Sequence, residues 1–526
     1  LTILKDLPKN YRISRNSFPA NLKGIFFGKT DILFELGKKL SETEIIFSTI
    51  GEIKSLSVDN FYGNIDLISD RLTFFANNKE ASISGDLDFD GNLISGNWNK
   101  SFEKDADNIG YAKGSLKLDR SLLSSLGMDV SQIIASNEAL ANFSIQFVEG
   151  SAPIFDFRSD LKGLGLKLKS MNWTKKPNDT GDLFIGGTLG PIPTITSLLF
   201  SSDDLAINGK VYFKDYGELD KLLFKSLKFK DWVNASLEVK KNQKGDFIFD
   251  ILNGELDLRF FDFHSGNKIN LNQIPNLIQL DSVALSDSIR LTDLKAQFLT
   301  TDKSSGNFKS RINNGPVIEG SIEMGENGLS ININSNDAGA VFKSLGMFDN
   351  ARSGELNVIL VPEVGKRLYN GELTIRNTRV VNAPALAELL SAVSVIGLLE
   401  QMDGQGLAFS ESKANFSISS DKIIIHDSSA IGASMGLTMQ GELNPLTEEI
   451  NAVGVVTPFY AVNGIFEQTG LFAGLLGNKE GEGVFGFNYQ INGVGDDLRI
   501  EVNPLSILTP GVFRELFNSP MPERSE

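Results

Sequence analysis

Two histidines, His264 and His426, are the only imidazoles in a chain of 526 residues, and neither has a second histidine or a cysteine at metal-ligand spacing. Cysteine is absent altogether, which removes disulfides, thiolate metal sites and cysteine nucleophiles. Carboxylates pair at Asp86/Asp88 and at Asp496-Asp497, a spacing from which a general acid and base could be drawn. The first pair fits the solvated side of a strand and the second fits a turn. Gly493-Val494-Gly495 lies between two strand-like runs rather than ahead of a helix, so it lacks the context of a phosphate-binding loop. The Gly-x-Ser-x-Gly pattern occurs once, at Gly432-Ala433-Ser434-Met435-Gly436, between two strand-like runs rather than at a strand-to-helix turn, so it lacks the context of a nucleophile elbow. The residues therefore point away from an enzyme, and no cofactor or metal is expected.

The elements that carry these residues are strands. From Ile45 to Val502 apolar and polar residues alternate in short runs, with Gly, Asn or Asp at the reversals. Ile322 and Met324 alternate with Ser321 and Glu323, Gly325-Glu326-Asn327-Gly328 turns the chain, and Leu329, Ile331 and Ile333 follow in the same phase. That is a hairpin with one apolar face. Phe416 and Ile418 face Ile423 and Ile425 across Ser420-Asp421, and Phe485, Phe487, Tyr489 and Ile491 form another set. Leu164, Leu166 and Leu168, then Phe247, Phe249 and Ile251, and Met435, Leu437 and Met439 repeat the theme. The expected fold is mostly β, built of antiparallel strands with one apolar side.

Composition bounds what this surface can serve. With 41% hydrophobic and 22% charged residues the chain is not disordered, and a net charge of −16 disfavours nucleic acid as a partner. A length of 526 exceeds what one ordinary core holds, so several domains or an elongated, repetitive architecture are expected. No stretch is both long and apolar enough to span a membrane, which needs roughly 20 residues.

One segment breaks the alternation. After the strand 373–381, Asn382 is placed to cap a helix, Pro384 suits its first turn, and residues 385–402 are apolar around much of the circumference. Leu386, Leu389, Leu390, Val393, Ile396 and Leu399 are its candidate plug or gate residues. Gly404 and Gly406 end it. Two further apolar pieces, around Ile465 to Leu476 and Val512 to Phe517, read as short edge covers. A weak internal repeat is also present. Leu122-Leu123-Ser124-Ser125-Leu126-Gly127-Met128 resembles Val341-Phe342-Lys343-Ser344-Leu345-Gly346-Met347, with Phe224 to Phe229 as a partial third copy, and each reads as a small helix followed by strands.

The order of motifs carries a resemblance. Gly371-Glu372-Leu373-Thr374-Ile375, Asn382-Ala383-Pro384, the apolar helix, Gly441-Glu442-Leu443-Asn444-Pro445, Val502-Asn503-Pro504-Leu505 and Pro510-Gly511 together resemble the C-terminal region of AsmA-like proteins. These are envelope proteins of the YhdP and TamB type found in Gram-negative bacteria. The likeness is specific over residues 335–517 and weak before 110.

The resemblance implies a repeating β-groove, an elongated twisted antiparallel sheet curled into an open channel, with a few short helices and the apolar helix 383–402 near its end. It implies groove modules over 1–335 and an AsmA-like C-terminal region over 336–526. Such a protein lies in the periplasm, anchored in the inner membrane by an N-terminal segment that precedes Leu1. Its partners would be phospholipids, and membrane or envelope proteins at the groove ends. Its task would be bridge-like phospholipid transport for outer-membrane biogenesis and integrity. The groove-lining candidates are Leu164, Leu166, Leu168, Phe247, Phe249, Ile331, Ile333, Leu373, Ile375, Phe416, Ile418, Ile423, Ile425, Phe485 and Phe487. The alternative from another class is a structural or adhesive multi-domain β-sandwich protein, in which a second sheet closes every apolar face. A β-rich glycan hydrolase would need aromatic platforms, and three tryptophans supply few.

Overall fold

The computed structural model describes residues 21–35, 45–62, 64–103, 109–126, 133–148, 150–168, 173–190, 192–214, 219–241, 247–260, 275–298, 305–325, 328–363, 368–392, 404–419, 422–444, 446–458, 486–495 and 497–503. His264, Phe485, Val393, Ile396, Leu399, Asp496 and both C-terminal apolar pieces lie outside these residues. The chain divides into two compact units, 1–247 and 248–526. The boundary expected at 335/336 falls inside the second unit.

The first unit contains β1 (Leu22–Leu33), β2 (Ile46–Tyr62), β3 (Ile65–Asn77), β4 (Glu80–Phe89), β5 (Asn92–Ser101), β6 (Ile109–Leu118), α1 (Arg120–Ser125), β7 (Ile134–Ser136) and β8 (Ala139–Val148). It continues with β9 (Ile154–Ser159), β10 (Gly165–Leu168), β11 (Trp173–Lys175), β12 (Asp182–Thr188), β13 (Thr194–Ser201), β14 (Leu205–Phe213), β15 (Leu219–Phe229) and β16 (Val233–Lys241). Strands β1 to β6, β8, β9 and β12 to β16 pair in chain order, each antiparallel to the next. Short polar turns make this meander. Between β4 and β5, Asp90 and Gly91 both have positive φ, 52° and 79°, the type I′ geometry whose twist matches paired strands.

Strands β7, β10 and β11 form a separate three-stranded sheet. It is held in place by Lys175, a buried lysine whose Nζ donates to the carbonyls of Leu161 (2.6 Å) and Leu164 (2.9 Å). Burial pushes this ammonium below its ordinary range. The small sheet and α1 together shield Leu118, Ala139, Leu161 and Leu164.

The second unit contains β17 (Phe247–Asp257, whose first residue belongs to the first unit), β18 (Leu277–Ala284), β19 (Arg290–Phe298), β20 (Ser305–Ile312), β21 (Val317–Gly325), β22 (Gly328–Ser335), α2 (Ala338–Ser344), β23 (Ala351–Arg352) and β24 (Glu355–Pro362). It continues with β25 (Tyr369–Val380), α3 (Pro384–Ala392), β26 (Leu407–Ile418), β27 (Ile423–Ile431), β28 (Met435–Asn444), β29 (Glu449–Pro458), β30 (Phe487–Val494) and β31 (Asp497–Asn503). All of these strands join one ladder, with β22 paired to β24 and the two-residue β23 extending β25. Among the described residues neither unit's first and last strands pair, so neither ladder closes into a barrel.

Three expectations are corrected here. Pairing is not antiparallel throughout, because β17 and β18 run parallel (Ile251↔Ile278), joined by a crossover rather than a hairpin. The third copy of the repeat, Phe224 to Phe229, is strand, hydrogen-bonded to β14 and β16 on its two sides. The two true copies are α1 and α2, capped by Asp119 and Asp337, each of which accepts a backbone N–H at 2.9 Å. In α2 the left-handed Gly346 (φ 67°) stops the helix, with Met347 N donating to Phe342 O. The third copy has Lys228-Phe229 at that point and continues as strand. Asn382 does not cap α3. It takes a left-handed turn (φ 49°), its carbonyl accepts from Asn350 Nδ2 at 2.6 Å, and the first helical bond runs from Ala387 N to Ala383 O. The described part of the apolar helix is Pro384–Ala392, and residues 393–402 lie outside the described residues.

Candidate functional site: the apolar face of the sheet

Residues two apart on a strand share a face, and paired residues on neighbouring strands share it too, so the register traces each face across the sheet. In the second unit one row runs Ile322, Ile331, Leu360, Gly371, Phe416, Ile425, Gly441, Ala452, Ile491, Ile500. Two residues away, on one side, lie Ile333, Val358, Leu373 and Ala414. Beyond them come Leu356, Ile375, Ser412, Ala430, Leu437, Val456 and Phe487. On the other side lie Tyr369, Ile418, Ile423, Leu443, Ile450 and Leu498. The row from Ile333 extends back through Gly320, Phe308, Ala296 and Ile278 to Ile251, which brings Phe249 onto the same side.

The structure thus gathers Phe249, Ile331, Ile333, Leu373, Ile375, Phe416, Ile418, Ile423, Ile425 and Phe487 on one face of one sheet. The opposite face carries most of the polar residues, with the apolar Ile359, Val361, Ile424, Val453 and Val455 among them. Asn357 Nδ2 donates to Asn332 Oδ1 (2.7 Å) and Asn334 Oδ1 (2.9 Å), Glu411 meets Lys413 at 2.8 Å, and His426 Nε2 lies 2.6 Å from Ser417 Oγ.

At Gly371 and Gly454 a glycine leaves room for a neighbouring ring on the sheet. A Cβ added at Gly371 would fall 2.2 Å from the Phe416 ring, and one at Gly454 would fall 2.6 Å from the Tyr489 ring. Tyr489 is buried, its hydroxyl donates to the Thr438 carbonyl at 2.7 Å, and burial pushes the phenol far above its ordinary range.

Among the described residues, cover comes from one long edge. Helix α2 connects β22 to β24, and α3 connects β25 to β26, so both enter where Ser335, Leu356, Val380 and Leu407 lie. Ala338 and Val341 of α2 pack on Ile312, Ile318, Leu356 and Ile375. Leu389 and Leu390 of α3 pack on Val380, Leu407, Phe409, Met435, Val456 and Tyr489. The opposite edge is closed by tight reversals, Gly325↔Gly328, Ile418↔Ile423, Asn444↔Glu449 and Val494↔Asp497. There Tyr369, Ile418, Ile423, Leu443, Ile450 and Leu498 are half-buried, and none belongs to a packed cluster among the described residues. The plug candidates divide accordingly, with Leu389 and Leu390 buried and Leu386 half-buried.

The first unit repeats the arrangement with its own rows, for example Ile83, Trp98, Ala112, Ile145 and Phe155. Three of its candidates fall elsewhere, whereas Phe247, two residues before Phe249 on β17, shares that residue's side. Leu164, at 1% exposure, lies just before β10, and Leu166 and Leu168 are in β10 itself; they belong to the covering sheet and pack on Leu161, Trp173 and their neighbours. Phe247 opens β17 at 52% exposure, with Lys241 Nζ 5.7 Å from its ring centre.

Residues that line the face without being among the groove-lining candidates include Leu437, Met439, Val456 and Tyr489. Leu437 and Met439 carry the same alternating signal, whereas Val456 sits in Val453-Gly454-Val455-Val456, where alternation fails. Comparison with family models, curated proteins and solved structures finds no match for this chain.

Proposed function

We propose that this chain carries the acyl chains of phospholipids along its apolar face, as a bridge between the inner and outer membranes of a Gram-negative envelope. The observation that carries the reading is the shared apolar face across the strands of the second unit, which the described residues cover from one edge. A half-exposed apolar surface of this extent suits an occupant that completes its burial, and a run of similar apolar rows suits a flexible chain better than a globular partner. Each methylene withdrawn from water contributes about 0.8 kcal/mol. Successive rows offer nearly the same environment, so a lipid can be held and still move. The head group stays in water, and recognition needs no dedicated polar site.

In this reading the sheet curls into an open groove. The order of motifs over 335–517 supports membership of the AsmA-like proteins, a periplasmic location, an inner-membrane anchor preceding Leu1, partners at the groove ends and a part in outer-membrane biogenesis. A structural β-sandwich reading draws on the three-stranded sheet over the first unit, which closes one edge of that face locally.

Solvent extraction of the purified chain separates the two readings. Transport predicts several phospholipids recovered per chain, measured by mass spectrometry of the extract. A folded, monodisperse chain free of lipid would count against it.

A further inference from the structure

Beneath α3 lies a cavity of about 330 Å³ set apart from the bare rows, with Leu386 and Leu389 on the helix side and Phe409, Leu437, Met439 and Ile491 among the strand residues that line it. We infer that this cavity is a discrete site for one fatty-acyl chain, an inference that rests on the lipid-carrying reading and adds a resting place to the open face. Its chemistry excludes polar ligands. Of its hydroxyls, Thr378 Oγ1 donates to the carbonyls of Arg352 (3.3 Å) and Ser353 (3.4 Å), and Tyr489 donates to Thr438, which leaves Ser412. No charged side chain lines it.

The size falls at the lower end of small-molecule sites. Ile491 and Ile375 belong both to the cavity wall and to the rows of the apolar face, so the cavity opens onto that face. A chain lying along the rows can turn its methyl end under α3 while its head group remains in water.

Two substitutions fill the cavity from opposite walls, Ala430→Trp on the sheet and Ala385→Trp on the helix. Titration of the full chain with cis-parinaric acid, read by its fluorescence, is expected to show one saturable site. Each filling variant should weaken that site at least tenfold while circular dichroism stays native. Glu372→Gln, exposed on the opposite face of the sheet, should leave it intact. Native-like filling variants with unchanged titration, or a wild-type chain with no saturable site, would overturn the inference. If cis-parinaric acid binds and the filling variants abolish it, yet extraction yields no phospholipid, the cavity stands and transport fails. Phospholipid along the face with titration indifferent to both variants fails the cavity alone.

Discussion

Ile423→Asp is expected to strip phospholipid from the chain, at least a tenfold fall in lipid recovered on extraction, while the melting temperature moves by only a few degrees. Ile423 pairs with Ile418 and Leu443 in the row at the bare edge and is half-buried without belonging to a packed cluster. A carboxylate there reaches water, so the strand keeps its ladder. An acyl chain crossing that row, however, would have to lie against an ionised group it cannot solvate. In a closed sandwich the same carboxylate is buried unpaired, at a cost of several kcal/mol, and the unit should unfold. Extraction and thermal unfolding on one preparation read both quantities. Loss of fold, rather than loss of lipid, would favour the sandwich.

The largest stability effect is expected at Leu390. This side chain is fully buried between α3 and the sheet, among Val380, Leu407, Met435 and Val456. Leu390→Ala removes its methyl groups and leaves a void that backbone hydrogen bonds on the sheet side prevent from collapsing, a loss of about 2–5 kcal/mol. Leu386→Ala, half-buried on the same helix, should cost clearly less. Calorimetry of the two variants tests the ranking. Equal losses would mean that α3 does not pack by the Leu389 and Leu390 side.

Why much of this was legible in the residues, and some was not, follows from what alternation encodes. A period of two fixes which side chains share a face, and Ile322, Ile331, Ile418 and Ile423 meet across the very reversals that Gly325, Gly328 and Ser420-Asp421 mark. Alternation does not say which sheet a strand joins. Leu164, Leu166 and Leu168 carry a clean pattern, yet serve the covering sheet, because the connection from β9 to β12 loops over the main sheet's edge before rejoining it. Short helical copies likewise depend on capping and stop residues. Asp119, Asp337 and Gly346 supply them, whereas Phe224 to Phe229 lies between two pairing strands and follows its neighbours. The cavity under α3 was invisible because its walls come from strands far apart in the chain, joined only by register.

The central claim is that one face of the second unit's sheet meets lipid. A photo-crosslinking side chain placed at Ile425, and separately at Ile424, tests it most directly, since the two are adjacent on β27 and point to opposite faces. With phospholipid vesicles or native envelope as the lipid source, adducts of phospholipid mass are expected at 425 and not at 424. Equal labelling at both positions, or protein adducts alone at 425, would contradict the account.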